Sequence, residues 1–367
     1  MIVAVVGVGL IGGSVGLAAR SRLGATVRGF DPRADEAVAR GAIHSAHRDL
    51  GDALDGADAV FVAVPVDVLA DTVATVLEQA PRSCVVTDVG STKRTVIDAA
   101  RDPRFVGGHP LAGSEAAGVE HAREDLFDGA TWYLTPTATT QGTLLERLHR
   151  LVTGLGARPA VIDADVHDRV MAAVSHLPHV VANVLVSRAL DALGGERPPA
   201  TGPSFRDATR VAGANPQLWG GIYAANRDAL ADALDGAIAE LETVRAQLRA
   251  GADLTGWQDQ AAGRRRSLVE AGLGTGATSE LRVAVPNRPG VIADITLTLG
   301  RAGINISDMA LSPSPDNSQG EIALWVPDGR ADEAAALVAG LGFAVIARDD
   351  LTRPPISRAR MASGGQE

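Results

Sequence analysis

Three glycines in the spacing Gly-x-Gly-x-x-Gly stand directly after the first run of β-branched residues and open a helical stretch. This turn limits the possible folds more than any other feature of the chain, because it needs a buried parallel strand before it and a helix on the same sheet after it. Gly7 permits the tight turn, Gly9 permits a diphosphate to approach the backbone, and Gly12 lets the helix pack closely on the strand. We therefore predict a dinucleotide site here; the alternative is a glycine-rich turn without a ligand.

The first 163 residues continue the same alternation of short apolar runs and helical stretches. Uninterrupted apolar runs are typical of parallel strands that helices cover on both faces. We predict an α/β fold for this part of the chain, a Rossmann-type doubly wound parallel sheet. Its strands are expected at 2–6, 26–30, 59–64, 84–88, 105–108, 132–135 and 159–162.

Asp31 follows the second predicted strand, 19 residues after Gly12. A carboxylate at this place accepts hydrogen bonds from the ribose hydroxyls of NAD and repels the 2′-phosphate of NADP, so NAD is the expected cofactor. Arg28 and Arg33 leave a phosphate-binding alternative open, although we interpret both as surface residues. The other residues predicted to contact the cofactor are Leu10, Ile11, Val64, Pro65 and Asp88.

Strand signals end near residue 163, and long periodic segments rich in Ala, Leu and Val follow at 165–193 and 216–249. These segments predict an all-helical domain. Strand signals then return near the C-terminus in the order βαββαβ, which indicates a ferredoxin-like unit. The expected parts of the chain are 1–163 for the sheet, 164–262 for the helices, 263–278 for a flexible linker, 279–351 for the ferredoxin-like unit and 352–367 for a disordered tail.

The formal charge of −10 excludes a globally basic nucleic-acid binder. Cys84 is the one cysteine and cannot form an internal disulfide, so a reducing compartment is expected. The N-terminus enters a strand pattern at once, without a charged stretch before an apolar one, and no uninterrupted run of about 18 apolar residues occurs. We therefore expect a cytoplasmic protein that binds neither nucleic acid nor membranes.

Lys93 is the one lysine among 34 Lys and Arg side chains. We interpret this scarcity as a compositional bias toward Ala, Arg, Gly and Val. Because Lys93 begins the helix after the strand predicted at 84–88, the alternative is a role near the functional site, in charge steering or in positioning Ser91.

Four polar segments carry side chains suited to proton transfer or to anion binding. The first two follow predicted strands, and ligands of open α/β sheets bind beyond the carboxyl ends of the strands, so we expect both to face the cofactor. The other two belong to the helical domain, and the third is expected to close the cleft. The segments are Asp88-Val89-Gly90-Ser91-Thr92-Lys93, Gly107-Gly108-His109-Pro110-Leu111-Ala112-Gly113-Ser114-Glu115, Ser175-His176-Leu177-Pro178-His179 and Phe205-Arg206-Asp207-Ala208-Thr209-Arg210.

A metal site is the alternative reading of the third segment. His176 and His179 are three residues apart and follow a group of further candidate ligands along the chain, Asp163, Asp165, His167 and Asp168. Metal ligation needs their side chains to converge, whereas Pro178 between the two histidines predicts a helix boundary. We therefore expect no metal.

With these segments in this order, the chain resembles the prephenate/arogenate dehydrogenase family of tyrosine biosynthesis over almost all of residues 1–350. The resemblance implies a nucleotide-binding domain, a helical dimerisation domain and a homodimeric, cytoplasmic oxidoreductase. Its implied reaction is the oxidative decarboxylation of prephenate to 4-hydroxyphenylpyruvate with reduction of NAD. One alternative is the same chemistry on arogenate, or on both compounds as in a cyclohexadienyl dehydrogenase. A non-catalytic regulator that senses NAD and an amino acid is the other.

The resemblance also implies roles for individual residues. His109 matches the catalytic histidine that accepts a proton from the ring hydroxyl, and a neutral imidazole suits that task because its pKa lies near working pH. Ser91 matches a serine that helps to orient this histidine, although it could simply cap the following helix. Arg210 matches an arginine that holds a substrate carboxylate, and its alternative is an ion pair with Asp207. The remaining implied substrate contacts are His176, His179, Ser114, Glu115 and Trp219.

One segment departs from the family pattern. The family commonly has a run of glycines before the segment at 205–210, where this chain has Thr201-Gly202-Pro203-Ser204. Pro203 stiffens the loop and removes a backbone donor, which puts the expected backbone contacts in doubt.

The ferredoxin-like unit resembles an ACT domain. In that family the first strand-to-helix turn and the start of the second strand bind amino acids, which implies feedback inhibition, with tyrosine as the expected ligand. The alternative is a dimerisation module without a ligand. The implied contacts are Asn287, Pro289, Gly290, Val291, Asn305 and Ile306.

Overall fold

A computed structural model describes most of the 367-residue chain, and the chain forms two compact units, Met1–Thr243 and Val244–Glu367. We describe each unit by itself. The described residues are 1–113, 116–192, 201–272, 278–286, 291, 294, 295, 298, 299, 302, 304, 308–313 and 319–346.

The first unit is built on an eight-stranded sheet with the order β3-β2-β1-β4-β5-β6-β7-β8. The predicted α/β class is therefore confirmed, with the doubly wound order on either side of β1 and β4. The strands are β1 (Ile2–Val6), β2 (Thr26–Phe30), β3 (Ser45–His47), β4 (Ala59–Val62), β5 (Val85–Asp88), β6 (Phe105–Pro110), β7 (Thr131–Thr135) and β8 (Arg158–Val161).

Two details of the sheet differ from the prediction. β3 was missed because its three residues, Ser-Ala-His, form a short and polar edge strand without an apolar run. β7 runs antiparallel to β6, and β8 is parallel to β7, so the last two strands reverse the sheet. The connection from β6 to β7 contains only a 3₁₀ turn in its described part rather than a crossover helix, and a parallel pair needs such a crossover.

Six helices cover the two faces of this sheet. Side chains of β1 alternate between the two resulting cores: Val3 and Val5 lie in one, and Ala4 and Val6 in the other. This double burial explains the uninterrupted apolar runs in the sequence. The helices are α1 (Leu10–Leu23), α2 (Ala34–Ala39), α3 (Leu50–Leu54), α4 (Val66–Gln79), α5 (Arg94–Ala99) and α6 (Gly142–Gly154).

The helical part of the first unit begins with α7 (Ala164–Met171), a π-helical segment (Ala172–His176) and α8 (Leu177–Ala192), which follow one another without a break. The helix boundary predicted at Pro178 is therefore wrong. A proline removes one backbone donor and crowds the preceding turn, and the wider π turn directly before it accommodates both effects.

Three more helices follow, and the last of them extends past the end of the first unit at Thr243: α9 (Pro203–Thr209), α10 (Pro216–Ala225) and α11 (Arg227–Arg249). Pro203 is the first residue of α9. The missing N–H of a proline has no partner to lose at this position, so Pro203 starts the helix and the departure at 201–204 is compatible with the fold.

The second unit contains α12 (Thr255–Gly272), so the prediction of a flexible linker is wrong for residues 263–272. Alanine and arginine are good helix formers and outweigh the two glycines of this segment, Gly263 and Gly272. Four antiparallel strands follow in the order β10-β11-β9-β12; the described residues 291, 294, 295, 298 and 299 are helical, and a further helix lies between β11 and β12. They are β9 (Thr278–Pro286), β10 (Asp308–Pro313), β11 (Gln319–Pro327), α13 (Ala331–Gly340) and β12 (Ala344–Ile346).

The sheet of the second unit has its own apolar core, formed by residues such as Val283, Ile322 and Val338. Its strand order is that of the predicted ferredoxin-like unit, with β10 beginning four residues later than the strand expected at 304–311. Val291 of the predicted ligand site is buried in this core. The other residues of that prediction, Asn287, Pro289, Gly290, Asn305 and Ile306, and the tail at 352–367, lie outside the described residues.

Candidate active site

The glycine turn has the geometry that its sequence predicted. Gly7 has a φ of +88°, and a Cβ added there would lie 2.4 Å from the carbonyl oxygen of Ala63. A Cβ at Gly12 would lie 2.0 Å from the carbonyl oxygen of Gly7, so both positions need glycine. A Cβ at Gly9, in contrast, would meet no described heavy atom within 4 Å. The space beside Gly9 at the start of α1 is therefore open, an arrangement that suits a diphosphate.

Asp31 is fixed beside this turn. Its carboxylate oxygens accept hydrogen bonds from the backbone N–H groups of Val8 (2.9 Å) and Arg33 (2.7 Å). Arg28 donates to the carbonyl oxygens of Asp52 and Asp55. The Arg33 guanidinium lies 3.8 Å from Glu36 in an exposed ion pair. These contacts agree with the interpretation of both arginines as surface residues.

One cavity of about 440 Å³ joins the glycine turn to the predicted chemical site. It is lined on the nucleotide side by Gly7, Gly9, Leu10, Ile11, Asp31, Val64 and Pro65, and on the other side by Ser91, His109 and Leu218 of α10. Seven of the nine residues predicted to contact the cofactor therefore line the same space as the predicted base. Ser114 and Glu115, predicted at its mouth, lie outside the described residues.

Asp88 does not line this cavity, contrary to the prediction that it contacts the cofactor. It is fully buried at the end of β5, and its oxygens accept hydrogen bonds from the N–H groups of Gly90 (2.8 Å) and Gly108 (3.0 Å). The Lys93 ammonium forms an ion pair with the same carboxylate. Through these three contacts, Asp88 holds the loop after β5 against β6.

Lys93 is buried completely, with 0% of its side chain exposed, so a role in steering charged ligands is excluded. Its Nζ also donates to the carbonyl oxygen of Gly108 at 2.7 Å, one residue before His109. Burial lowers the pKa of Lys93, and the neighbouring Asp88 opposes this shift. Lys93 therefore supports the strand that carries His109.

His109 makes its hydrogen bond to a residue that the sequence did not suggest. Its Nδ1 lies 2.9 Å from Nε2 of His167, and Nδ1 of His167 lies 2.8 Å from Oδ1 of Asp168. Within the described residues, therefore, His109 is held by His167 and not by Ser91. His167 and Asp168 are adjacent residues of α7, and the sequence had placed them only in the rejected metal-site alternative. Among the described residues, no group of three His, Cys, Asp or Glu side chains could hold a metal ion.

Burial controls the charges of this cluster. It lowers the pKa of His109 well below its usual value, and the nearby His167, Lys93 and His176 lower it further. Burial also lowers the pKa of His176, to about 4. Burial alone would raise the pKa of Asp168, but hydrogen bonds from His167 and from the backbone of Arg94 and Lys93 outweigh it and lower this pKa. At neutral pH the cluster therefore holds an ionised Asp168 beside neutral His109 and His176.

The predicted substrate-binding residues of the helical part form a second group. His176 is buried and contacts the side-chain amide of Asn226 at 3.1 Å. The Trp219 ring packs edge-on against His176 and stacks on His179 with 3.4 Å between the ring centroids. His179 and Trp219 line a separate cavity of about 280 Å³ together with Tyr223.

The two cavities have no lining residue in common, although Leu218 lines the first and its neighbour Trp219 the second. Arg210 is exposed and lines neither cavity. In a single chain, therefore, the structure brings Ser91 and His109 together, but it does not bring Arg210 and His179 to the same cavity.

Comparison with known proteins gives a consistent result for three segments of the chain. Residues 15–161 match the nucleotide-binding domain of prephenate dehydrogenase, residues 163–256 match its dimerization domain, and residues 279–339 match the ACT domain. Prephenate dehydrogenase from Bacillus subtilis (strain 168) is 33% identical over 335 residues, which span 86% of this chain and 89% of that protein.

Two solved structures are similar to this chain. One is prephenate dehydrogenase from A. aeolicus in complex with hydroxyphenyl propionate and NAD⁺, with a TM-score of 0.67 and 30% identity over 73% of this chain and 98% of that one. The other is Synechocystis arogenate dehydrogenase, with a TM-score of 0.64 and 29% identity over 73% of this chain and 100% of that one.

Proposed function

This chain belongs to the prephenate dehydrogenase family, and from that premise we propose that it catalyses the NAD-dependent oxidative decarboxylation of prephenate to 4-hydroxyphenylpyruvate. The observation that carries the proposal is the position of a neutral His109 in the cavity that the glycine turn and Asp31 also line. This cavity puts a proton acceptor and a nucleotide site on the two sides of one space.

The residues at one end of the cavity fit NAD. The backbone at Gly9 and the start of α1 would bind the diphosphate, and the carboxylate of Asp31 would bind the ribose hydroxyls. Val64 and Pro65 would contact the nicotinamide half. Bound NAD supplies the hydride acceptor for the reaction.

His109 supplies the proton acceptor. As hydride leaves the ring carbon that bears the hydroxyl, Nε2 of His109 takes the hydroxyl proton, and the carbon becomes a carbonyl. Loss of carbon dioxide then returns the electrons of the broken C–C bond to the ring, which becomes aromatic, and His109 returns the proton to the phenolate oxygen. Aromatisation provides the driving force, so His109 needs only to hold and return one proton.

We propose that substrate carboxylates are bound by Arg210 and His179, with His176 and Trp219 shaping that part of the site. Arginine matches the fork of a carboxylate, which a chain of formal charge −10 must bind with local cations. Because these residues do not line the His109 cavity, the proposal requires the helical part to move or a second chain to complete the site.

A second chain is the partner that we propose for the helical part. The helix formed by α7, the π-helical segment and α8 is long and apolar enough, by length and composition, to cross a membrane. It also carries His167, Asp168 and His176, which are buried in polar contacts, and it lies in the region that matches a dimerization domain. A homodimer therefore explains its exposed large apolar side chains better than a membrane does; these are Val166, Val174, Val181, Val184, Leu185 and Leu190.

Steady-state absorbance of NADH, with prephenate or arogenate as substrate and NAD or NADP as acceptor, tests the proposal. We expect turnover of prephenate with NAD. Activity with arogenate alone would instead support the second candidate, which the similarity to an arogenate dehydrogenase favours. No turnover with either compound would refute both and leave a non-catalytic regulator.

We also propose that the ACT domain binds tyrosine as a feedback inhibitor. The match of residues 279–339 to the ACT family supports this regulation. Calorimetric titration of the full chain with tyrosine, phenylalanine and tryptophan tests it. Binding heat with tyrosine is expected, whereas no heat from any of the three would contradict the proposal.

A further inference from the structure

We propose that His167 and Asp168 are positioning residues that fix the tautomer and the ring orientation of His109, so that Nε2 of His109 is left unprotonated. The inference rests on the proposed function, because it concerns the residue proposed there as the base. The hydrogen-bond order Asp168–His167–His109 carries it, and each step can be followed from the contacts.

Asp168 is the fixed end of this series. Its Oδ1 and Oδ2 accept the backbone N–H groups of Lys93 (2.8 Å) and Arg94 (2.9 Å), at the start of α5. Its backbone carbonyl oxygen accepts a hydrogen bond from the Asn226 side chain at 2.8 Å. Every donor around the carboxylate favours its ionised form, which can only accept hydrogen bonds.

The charge of Asp168 determines the protons on the two imidazoles. Because the carboxylate has no proton, Nδ1 of His167 must donate to it, and Nε2 of a neutral His167 is then an acceptor. The 2.9 Å contact to His109 consequently needs a proton on Nδ1 of His109. A neutral His109 with this proton carries its free electron pair on Nε2, on the side of the ring away from His167.

Three elements hold His167 in place. Tyr133 on β7 lies directly opposite His109 on β6, and both rings pack edge-on against His167, with ring centroids 5.6 and 5.1 Å away. The third element is α7, which carries His167 and Asp168. His167 is completely buried, so its ring cannot rotate without breaking these contacts.

A proton on Nε2 of His167 would reverse the last hydrogen bond. Nε2 of His167 would then donate to Nδ1 of His109, and a neutral His109 would carry its proton on Nε2, where it could not accept one from substrate. The titratable groups that face this pair are Asp168, Tyr133, Lys93 and His176. The arrangement therefore serves as a base only with the proton of His167 on Nδ1 and its Nε2 free to accept.

Replacing Asp168 with Asn tests the inference, because the Asn amide can donate to Nδ1 of His167 and so induce the wrong tautomer of both histidines. We expect kcat to fall by about 100-fold or more, the range of a lost general base, with KM for NAD within about twofold. Replacing His167 with Gln retains an oxygen that can accept from His109, so a loss of less than about tenfold is expected. His167→Phe removes this acceptor and should lose as much as Asp168→Asn.

The matched controls are Asp71→Asn and His149→Gln, the same changes at exposed positions of α4 and α6. A merely structural role of Asp168 would lower the melting temperature and the NAD affinity of all three site variants together. That result, or equal loss of kcat in His167→Gln and His167→Phe, would overturn the inference.

Nitrogen-15 spectra of histidine-labelled full-length protein report the tautomer without any turnover. The chain has 8 histidines, and the spectrum of His109→Asn identifies the His109 signals by their loss. We expect a protonated Nδ1 and an unprotonated Nε2 in the wild type and the reverse in Asp168→Asn. The same tautomer in both proteins would refute the inference. If the spectra are as expected but the wild-type protein shows no turnover, the proposed function is refuted and the inference about the tautomer stands.

Discussion

The buried pair of Lys93 and Asp88 permits a prediction whose magnitude follows from the structure. In Lys93→Met the carboxylate of Asp88 stays buried and keeps two backbone N–H donors, from Gly90 and Gly108, but loses its counter-charge. Removing one partner of a buried ion pair costs about 3–5 kcal/mol. Because the two N–H groups remain, we expect the lower end, about 3 kcal/mol of unfolding free energy.

The companion variants complete a double-mutant cycle. Asp88→Asn should also destabilise the protein, since it leaves the Lys93 ammonium buried without its carboxylate. In the double variant neither charge remains, and we expect the free energy of unfolding to fall by only about 1 kcal/mol. Because this loss is smaller than the sum of the two single losses, the coupling energy has the sign of a favourable pair. Arg48→Met is the matched control at an exposed ion pair, with Asp35, and should cost no more than about 1 kcal/mol.

Urea unfolding followed by circular dichroism measures the four free energies, and thermal unfolding gives a second reading. A loss of about 3 kcal/mol corresponds to a fall in melting temperature of about 6–12 °C for a unit of this size. The reasoning would be refuted if Lys93→Met stayed within 1 kcal/mol of the wild type, the upper limit for the exposed pair. A double variant as unstable as the sum of the two single variants would refute it as well.

Three further predictions concern the nucleotide site, the base and the buried histidine. Asp31→Ser should weaken NAD binding by about tenfold, because one charge-assisted hydrogen bond to the ribose is lost. It should also reduce the preference for NAD over NADP in kcat/KM, and an unchanged preference would contradict the role of Asp31. His109→Asn should lower kcat by about 100-fold or more while NAD affinity, measured by calorimetry, stays the same; unchanged turnover would exclude His109 as the base. Burial lowers the pKa of His176 to about 4, so as the pH falls this histidine takes up a proton in the unfolded chain before it does so in the folded protein. The free energy of unfolding should therefore fall by about 3 kcal/mol between about pH 7 and pH 4. His176→Asn should flatten that part of the pH dependence, as measured by urea unfolding, and an equal slope in both proteins would refute the assignment.

The sequence predicts the sheet well because burial on both faces produces an apolar run that local patterns reveal. β1 and β2 have their predicted bounds, and each of the other predicted strands of the first unit differs by at most two residues at either end. β3 shows no such run, and the reversal of β7 depends on the path of the chain after β6, which no local pattern records. The continuation of the helix through Pro178 depends on a π turn that relieves the proline.

The site shows the same division between local and distant information. Gly7, Gly9, Ser91 and His109 were predictable because each lies at or just beyond the carboxyl end of a strand, and the ends of parallel strands meet at one edge of a sheet. His167 was missed because its hydrogen bond to His109 joins residues 58 positions apart. Asp168 contacts the backbone of Lys93 over 75 positions, and a backbone N–H leaves no trace in the sequence.

The place of Lys93 also explains physically why an arginine-rich chain has a lysine at this position. Its Nζ must reach both the Asp88 carboxylate and the Gly108 carbonyl oxygen from within a closed space. A Cβ added at Gly107 would lie 3.3 Å from Cδ of Lys93, and one at Gly90 would lie 3.7 Å from its Nζ, so neighbouring backbone surrounds the side chain closely. A compact ammonium fits between two acceptors, whereas a planar guanidinium brings five N–H donors and greater width. Lys93→Arg keeps the charge and should still destabilise the strand that carries His109. This result would indicate that the shape of the lysine side chain, and not a compositional bias, accounts for the lysine at this position.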